Sequence, residues 1–218
     1  APSASASMSA AIPRKLLPRL PTNAKGLPEH APDMIRSAAS MFALVAALVA
    51  SLTFGTVAHA ALDVGERAPP FSTKAAHNGS VYEYELAAGL RQGPVVLYFF
   101  PAAYSEGCSA EAHLFAEAMP EFEKLGATVV GVSGDDIDTL AKFSVQACQG
   151  RFPVASDARQ SVMRAYDAVL KTRPEYANRI SYVIAPDGRI AFHYMSLNPA
   201  RHVEKMLEAL RAMRGGKP

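Results

Sequence analysis

The 218-residue sequence has no tryptophan and only two cysteines, Cys108 and Cys148. Neither has a second cysteine within a few residues, so the chain lacks the Cys-x-x-Cys pair with which many redox proteins exchange disulfides. The positions three before and three after Cys108 hold Ser105 and Glu111 instead. Thiol–disulfide exchange within one motif is therefore excluded.

The sequence also lacks a strong charge imbalance once its first 60 residues are set apart. These hold five of the 22 Lys/Arg residues but only two of the 20 Asp/Glu residues. The remaining 158 residues carry 17 basic and 18 acidic side chains, which changes the formal charge from +2 to −1. Nothing in this charge pattern indicates nucleic-acid binding.

Long apolar runs are absent except near the beginning of the chain. Met34-Ile-Arg-Ser precedes an apolar segment that ends with Ala58-His-Ala60, the pattern of a cleavable secretory signal. We predict a signal peptide over 34–60 with cleavage after Ala60, hence an exported, periplasmic protein with no membrane segment after cleavage. A retained membrane anchor is the alternative. Residues 1–33 are predicted to be a disordered extension or an over-long gene start, and 61–218 a single domain.

The most informative stretch is Val95–Glu111. Its first six residues are apolar and predict a strand buried on both faces. Pro101 ends this strand. Ser105 is a plausible N-cap for a helix that holds Cys108 in its first turn. The helix dipole and unpaired backbone N–H groups there favour a thiolate.

The remaining patterns predict an N-terminal β-hairpin around Asn78-Gly79, then alternating strands and helices, then a second hairpin around Asp187-Gly188 and a final helix. This order predicts an α/β protein of the thioredoxin-like fold, with a central mixed sheet flanked by helices. Asp135, Asp136 and Asp138 are explained by a turn and a helix start, so neither a metal site nor a cofactor is predicted.

Pro101-x-x-x-Ser105-x-x-Cys108 resembles the active-site signature of the peroxiredoxins, and the Q-type (bacterioferritin-comigratory) subgroup is the most similar. Further matching segments extend over most of the chain after residue 64: Tyr98-Phe-Phe-Pro101, Pro120-Glu-Phe122, Gly131-Val-Ser133, Phe152-Pro153, Arg179-Ile-Ser-Tyr-Val-Ile184 and Asp187-Gly-Arg-Ile190. The resemblance implies a thiol-dependent peroxidase that reduces hydrogen peroxide and organic hydroperoxides.

The resemblance also implies roles for individual residues. Cys108 would be the peroxidatic cysteine, oxidised to a sulfenic acid. Ser105 and Arg179 would orient and polarise the peroxide, and Pro101 would limit solvent access to the sulfur. For each of these residues a purely structural role is the alternative. Glu111 would either help to hold Arg179 in place or take part directly in the reaction.

The resolving cysteine that many Q-type members carry five residues after the first is replaced by His113. Cys148 is then the candidate resolving residue, with an external thiol or another subunit as alternatives. The expected partners are a peroxide substrate and a thioredoxin-like or other thiol reductant; the oligomeric state stays open. A rival hypothesis is an exported binding or structural domain of the same fold with a Cys108–Cys148 disulfide.

Overall fold

The structure is a computed structural model that describes residues 61–215. The predicted signal peptide and the segment before it lie outside the described residues. Within 61–215, no helix is both long and apolar enough to cross a membrane.

The described chain is built from two kinds of segment. The strands contain apolar or β-branched residues, and the helices have one apolar face. The strands are β1 (Ser72–His77), β2 (Ser80–Glu85), β3 (Val95–Phe99), β4 (Thr128–Ser133), β5 (Val154–Ser156), β6 (Ile180–Ile184) and β7 (Ile190–Met195). The helices are α1 (Leu86–Leu90), α2 (Glu106–Lys124), α3 (Ile137–Gln146), α4 (Ser161–Ala165) and α5 (Ala200–Gly215).

All seven strands form one sheet in the order β2-β1-β5-β4-β3-β6-β7. Strand β3 is parallel to β4 and antiparallel to β6, so the sheet is mixed. The prediction of a thioredoxin-like fold with a central mixed sheet is confirmed. At the N-terminal end, β1 and β2 pair antiparallel with His77 opposite Ser80. The connecting Asn78 and Gly79 both have positive φ, as a tight hairpin turn requires.

Every residue of β3 is buried, because both faces of the sheet are covered. Val96 and Tyr98 point into a core formed with α2, α3 and α5. Leu97 and Phe99 point into a second core on the opposite face, which includes α4. This double burial explains why the strand is a continuous apolar run.

Two helices end close to glycine or cysteine residues. Helix α3 ends at Gln146, and Cys148 lies two residues further on. Helix α2 contains Pro120 within its 19 residues and stops before Gly126, which has a positive φ of 69°. Glycine adopts that conformation without strain, so it ends the helix.

Candidate active site

Cys108 lies in the first turn of α2, which follows the C-terminal end of β3 after a loop of residues 100–105. Its side chain is only 1% exposed. The first intrahelical hydrogen bond runs from the Ser109 N–H to the Ser105 carbonyl at 2.9 Å. The N–H groups of Gly107 and Cys108 come earlier in the helix and have no intrahelical acceptor, so they are available to an anion or a developing negative charge beside the sulfur.

The loop between β3 and α2 is held by a side chain from the bend that follows β4. Asp135 Oδ2 accepts hydrogen bonds from the Ala103 N–H and from Ser133 Oγ, both at 2.7 Å. Tyr104 adopts a left-handed conformation with φ 63°, and its exposed ring meets Phe143 edge-on at 5.4 Å. A non-glycine residue in this region is strained, so the loop is fixed by its surroundings rather than by its own preference.

Ser105 occupies the N-cap position of α2, as predicted, with extended backbone angles. Its hydroxyl makes no capping bond; it donates to the Ala102 carbonyl at 3.1 Å and lies on the exposed side of the loop. The hydroxyl is therefore not committed to helix capping.

Arg179, which lies 71 positions after Cys108, brings a positive charge to the sulfur. Its Nη2 donates to Cys108 Sγ at 3.3 Å, and its Nη1 donates to a carboxylate oxygen of Glu111. A Cβ at Gly107 would lie 3.2 Å from Nη2, so glycine at that position leaves room for the guanidinium. One planar fork thus contacts both the sulfur and a carboxylate, which a lysine cannot do.

Burial and neighbouring charges shift the pKa values of Glu111 and Arg179. Burial raises the pKa of Glu111 to about 8, although the adjacent Arg179 opposes the shift. Burial alone would lower the pKa of Arg179, but Glu111 and Cys108 raise it, so the net direction is upward. The guanidinium is positively charged at any pH at which the protein works.

Comparisons with known proteins agree with this geometry. The AhpC/TSA family model matches residues 64–193. The chain belongs to the AhpC/TSA family. Peroxiredoxin Bcp of Xanthomonas campestris pv. campestris is 31% identical over 125 residues, covering 54% of this chain and 76% of that protein. A chloroplastic peroxiredoxin Q from Sedum lineare is 27% identical over 151 residues, covering 69% of this chain and 78% of that protein.

Solved structures give the same result. The crystal structure of peroxidoxin BcpB from Mycobacterium tuberculosis has a TM-score of 0.63 at 29% identity, covering 70% of this chain and 99% of that chain. The chain is therefore a peroxiredoxin, a thiol-dependent peroxidase that takes a peroxide as substrate and a thiol as reductant. The resemblance inferred from the sequence is confirmed.

The second cysteine of this peroxiredoxin lies in the same core as the first. Cys148 is fully buried, and both cysteines are free thiols in the structure. Tyr98 belongs to this core, and among residues 61–215 its buried hydroxyl has no hydrogen-bond partner. Burial raises the pKa of Tyr98, and the nearby Cys148, Glu111 and Cys108 raise it further. Burial also raises the pKa of the Cys148 thiol, which is therefore protonated in this conformation.

The segment that carries Cys148 is held from two sides. On the α2 side, the His113 ring contacts the Ala147 carbonyl at 3.0 Å. On the hairpin side, the His77 ring contacts the Gly150 carbonyl at 2.9 Å, and the Gly79 N–H donates to Ser144 Oγ at 2.9 Å. Because a carbonyl oxygen only accepts, each imidazole nitrogen in these contacts carries a hydrogen.

Sequence reasoning missed several residues that surround the site. It assigned no role to His202, which is buried against Ser181 and close to Glu111, and it treated Asp135 only as part of a turn. These contacts join residues that are far apart in the sequence, so no local sequence pattern predicts them. In the described residues, no cluster of three or more His, Cys, Asp or Glu side chains is arranged to hold a metal.

Proposed function

We propose that Cys108 is the peroxidatic nucleophile of this peroxidase. Its thiolate attacks one oxygen of a peroxide, the O–O bond breaks, and the sulfur becomes a sulfenic acid. The other oxygen leaves with the bonding electron pair and takes up a proton, so hydrogen peroxide gives water and an organic hydroperoxide gives an alcohol. The observation that carries this proposal is the 3.3 Å contact between Arg179 Nη2 and Cys108 Sγ.

The surroundings of the sulfur support a role for three further residues. Arg179 and the Cys108 N–H are donors that are already oriented towards the reacting atoms, which stabilises charge on the leaving oxygen. The Ser105 hydroxyl is exposed at the same end of the helix and free to turn towards a bound peroxide. Pro101 limits solvent access at the base of the loop.

We propose that Cys148 resolves the sulfenic acid. Its thiolate would attack the sulfenic sulfur, a disulfide would form, and hydroxide would leave and be protonated to water. An external thiol would then return both cysteines to the reduced state. Supporting this assignment, Cys148 shares a core with Cys108 and the sequence has no third cysteine. Because both sulfurs are buried, the segment after α3 must open locally first.

Peroxide consumption with a dithiol reductant tests both assignments. Cys108→Ser is expected to abolish turnover, and retention of turnover would overturn the peroxidatic role. Cys148→Ser is expected to let the sulfenic acid accumulate, detected by mass spectrometry after a single equivalent of peroxide. Disulfide formation at the wild-type rate in that variant, whose only cysteine is Cys108, would instead assign resolution to an external thiol.

We also propose that residues 34–60 are a secretory signal and that 61–218 form the mature, exported domain. The Ala58-His-Ala60 sequence after an apolar segment supports this boundary. Cell fractionation followed by N-terminal sequencing is expected to find a periplasmic protein that begins at Ala61. A cytoplasmic protein that retains residues 34–60 would contradict the proposal.

A further inference from the structure

A buried polar layer lies behind Arg179, on the side away from the sulfur. It contains Glu111 from α2, Ser181 from β6 and His202 from α5, none of which is exposed to solvent. Glu111 Oε2 accepts a hydrogen bond from Arg179, but among residues 61–215 Glu111 Oε1 has no hydrogen-bond partner. A buried carboxylate oxygen without a partner carries a large desolvation cost, so its neighbours are informative.

On the side of that oxygen lies a second titratable group, His202, whose Nδ1 is 3.7 Å from Glu111 Oε1. The orientation of the ring determines which atom faces the carboxylate. His202 Nε2 is 3.0 Å from the Ser196 carbonyl, which only accepts, so Nε2 carries a hydrogen. In a neutral ring Nδ1 is then an acceptor, matched by Ser181 Oγ at 2.8 Å. Two acceptors, Nδ1 and Oε1, therefore face each other unless a proton lies between them.

The charges around the sulfur supply a reason for such a proton. A thiolate on Cys108 and a carboxylate on Glu111 would together carry two negative charges, against one positive charge on Arg179. Tyr98 from β3 also faces this cluster and is neutral. On the β7 side, the ring of Tyr194 meets His202 edge-on at 5.0 Å. A buried cluster with one uncompensated negative charge is costly, and one additional proton removes that cost.

We propose that His202 is a positioning residue for the peroxidatic thiolate: with Glu111 it holds one proton that balances the charge of the buried cluster and keeps Arg179 directed at the sulfur. This inference rests on the proposed roles of Cys108 and Arg179. The proton stays within the Glu111–His202 pair during peroxide attack, and His202 makes no contact with the reacting atoms.

His202→Leu and His202→Asn separate this role from simple packing. Leucine fills the space without a polar atom, whereas the asparagine amide N–H can reach the position of Nδ1 and donate to Glu111 Oε1. In a Cys148→Ser background, the ultraviolet absorbance of the Cys108 thiolate and the single-turnover rate with hydrogen peroxide are measured at neutral pH. We expect His202→Leu to lower both by about tenfold or more, and His202→Asn to recover part of the loss.

A double-mutant cycle with Glu111→Gln identifies the route of the effect. Because glutamine is neutral, it needs no balancing proton, so His202→Leu should have little further effect in that background. Leu210→Ala, also buried in α5, is the control for general loosening of this helix and should leave the thiolate absorbance unchanged.

Two results would overturn the inference: thiolate absorbance and rate in His202→Leu within about twofold of the parent, or an equal loss in the Glu111→Gln background. Failure of the proposed function would give a different result, namely that Cys108→Ser retains turnover. The two failures can therefore be told apart.

Discussion

Replacing Arg179 by glutamine or lysine tests the contact on which the proposed chemistry depends. Glutamine removes the positive charge beside Cys108. Lysine keeps the charge but has one nitrogen in place of the two that contact the sulfur and Glu111, so it loses the planar fork geometry. Both variants should slow the reaction with peroxide, and glutamine should slow it more.

The size of the effect follows from the contact distance. Opposite unit charges at 3.3 Å attract each other by about 5 kcal/mol at an effective dielectric constant of about 20. Repulsion between the thiolate and Glu111, to the extent that Glu111 is ionised, offsets part of this attraction, which leaves about 2–3 kcal/mol. For Arg179→Gln this corresponds to a loss of about 30- to 150-fold in the rate of peroxide attack. For Arg179→Lys we expect a loss of about tenfold.

A single-turnover assay measures the relevant step. Hydrogen peroxide is mixed with reduced protein in a Cys148→Ser background, and the sulfenic acid on Cys108 is trapped and quantified over time. Arg91→Gln is the matched control, because Arg91 is an exposed arginine at the end of α1. It should react at the parent rate. If Arg179→Gln, with an intact fold by circular dichroism, reacts within about twofold of the parent, the electrostatic argument is wrong.

Three further predictions concern the surroundings of the two cysteines. Tyr98→Phe should raise the free energy of unfolding in urea by about 1 kcal/mol or more, because it removes a buried hydroxyl without a partner; a loss of stability would contradict this. His113→Ala should speed disulfide formation in stopped-flow experiments, because it removes the contact with the Ala147 carbonyl next to Cys148; an unchanged rate would show that this contact does not limit opening. The Glu111 carboxyl has its pKa raised from 4.5 to about 8 in the folded protein, so its contribution to stability is complete below pH 4.5 and is lost as the pH rises to about 8. The free energy of unfolding should therefore fall over this range by up to about 1.4 kcal/mol per pH unit relative to Glu111→Gln, and parallel profiles for the two proteins would refute the assignment.

The sequence predicted those features that depend on neighbouring residues. The burial of β3, the N-cap position of Ser105 and the turn at Asp187-Gly188 follow from local patterns of hydrophobicity and turn-forming residues. The family resemblance indicated Arg179, which no periodicity could have paired with a cysteine 71 positions away.

Other parts of the site depend on tertiary packing and could not be predicted in this way. His202 meets Glu111 only because α5 packs beside α2. Asp135 has the composition of an ordinary turn residue, and its bond to the Ala103 N–H depends on the parallel pairing of β3 and β4.

The N-terminal hairpin contacts the segment after α3, and these contacts bear on the step in which the disulfide forms. In its turn, His77 contacts the Gly150 carbonyl and the Gly79 N–H donates to Ser144 Oγ. Ser144 and Gly150 lie before and after Cys148 in the sequence. In the proposed cycle, the segment that carries Cys148 must leave this turn, so these two hydrogen bonds would contribute to how long the sulfenic acid on Cys108 persists before the disulfide forms. A longer lifetime gives a second peroxide more time to oxidise the sulfur irreversibly. The hairpin, remote from the reacting atoms, would thus govern how readily the enzyme is inactivated by its own substrate.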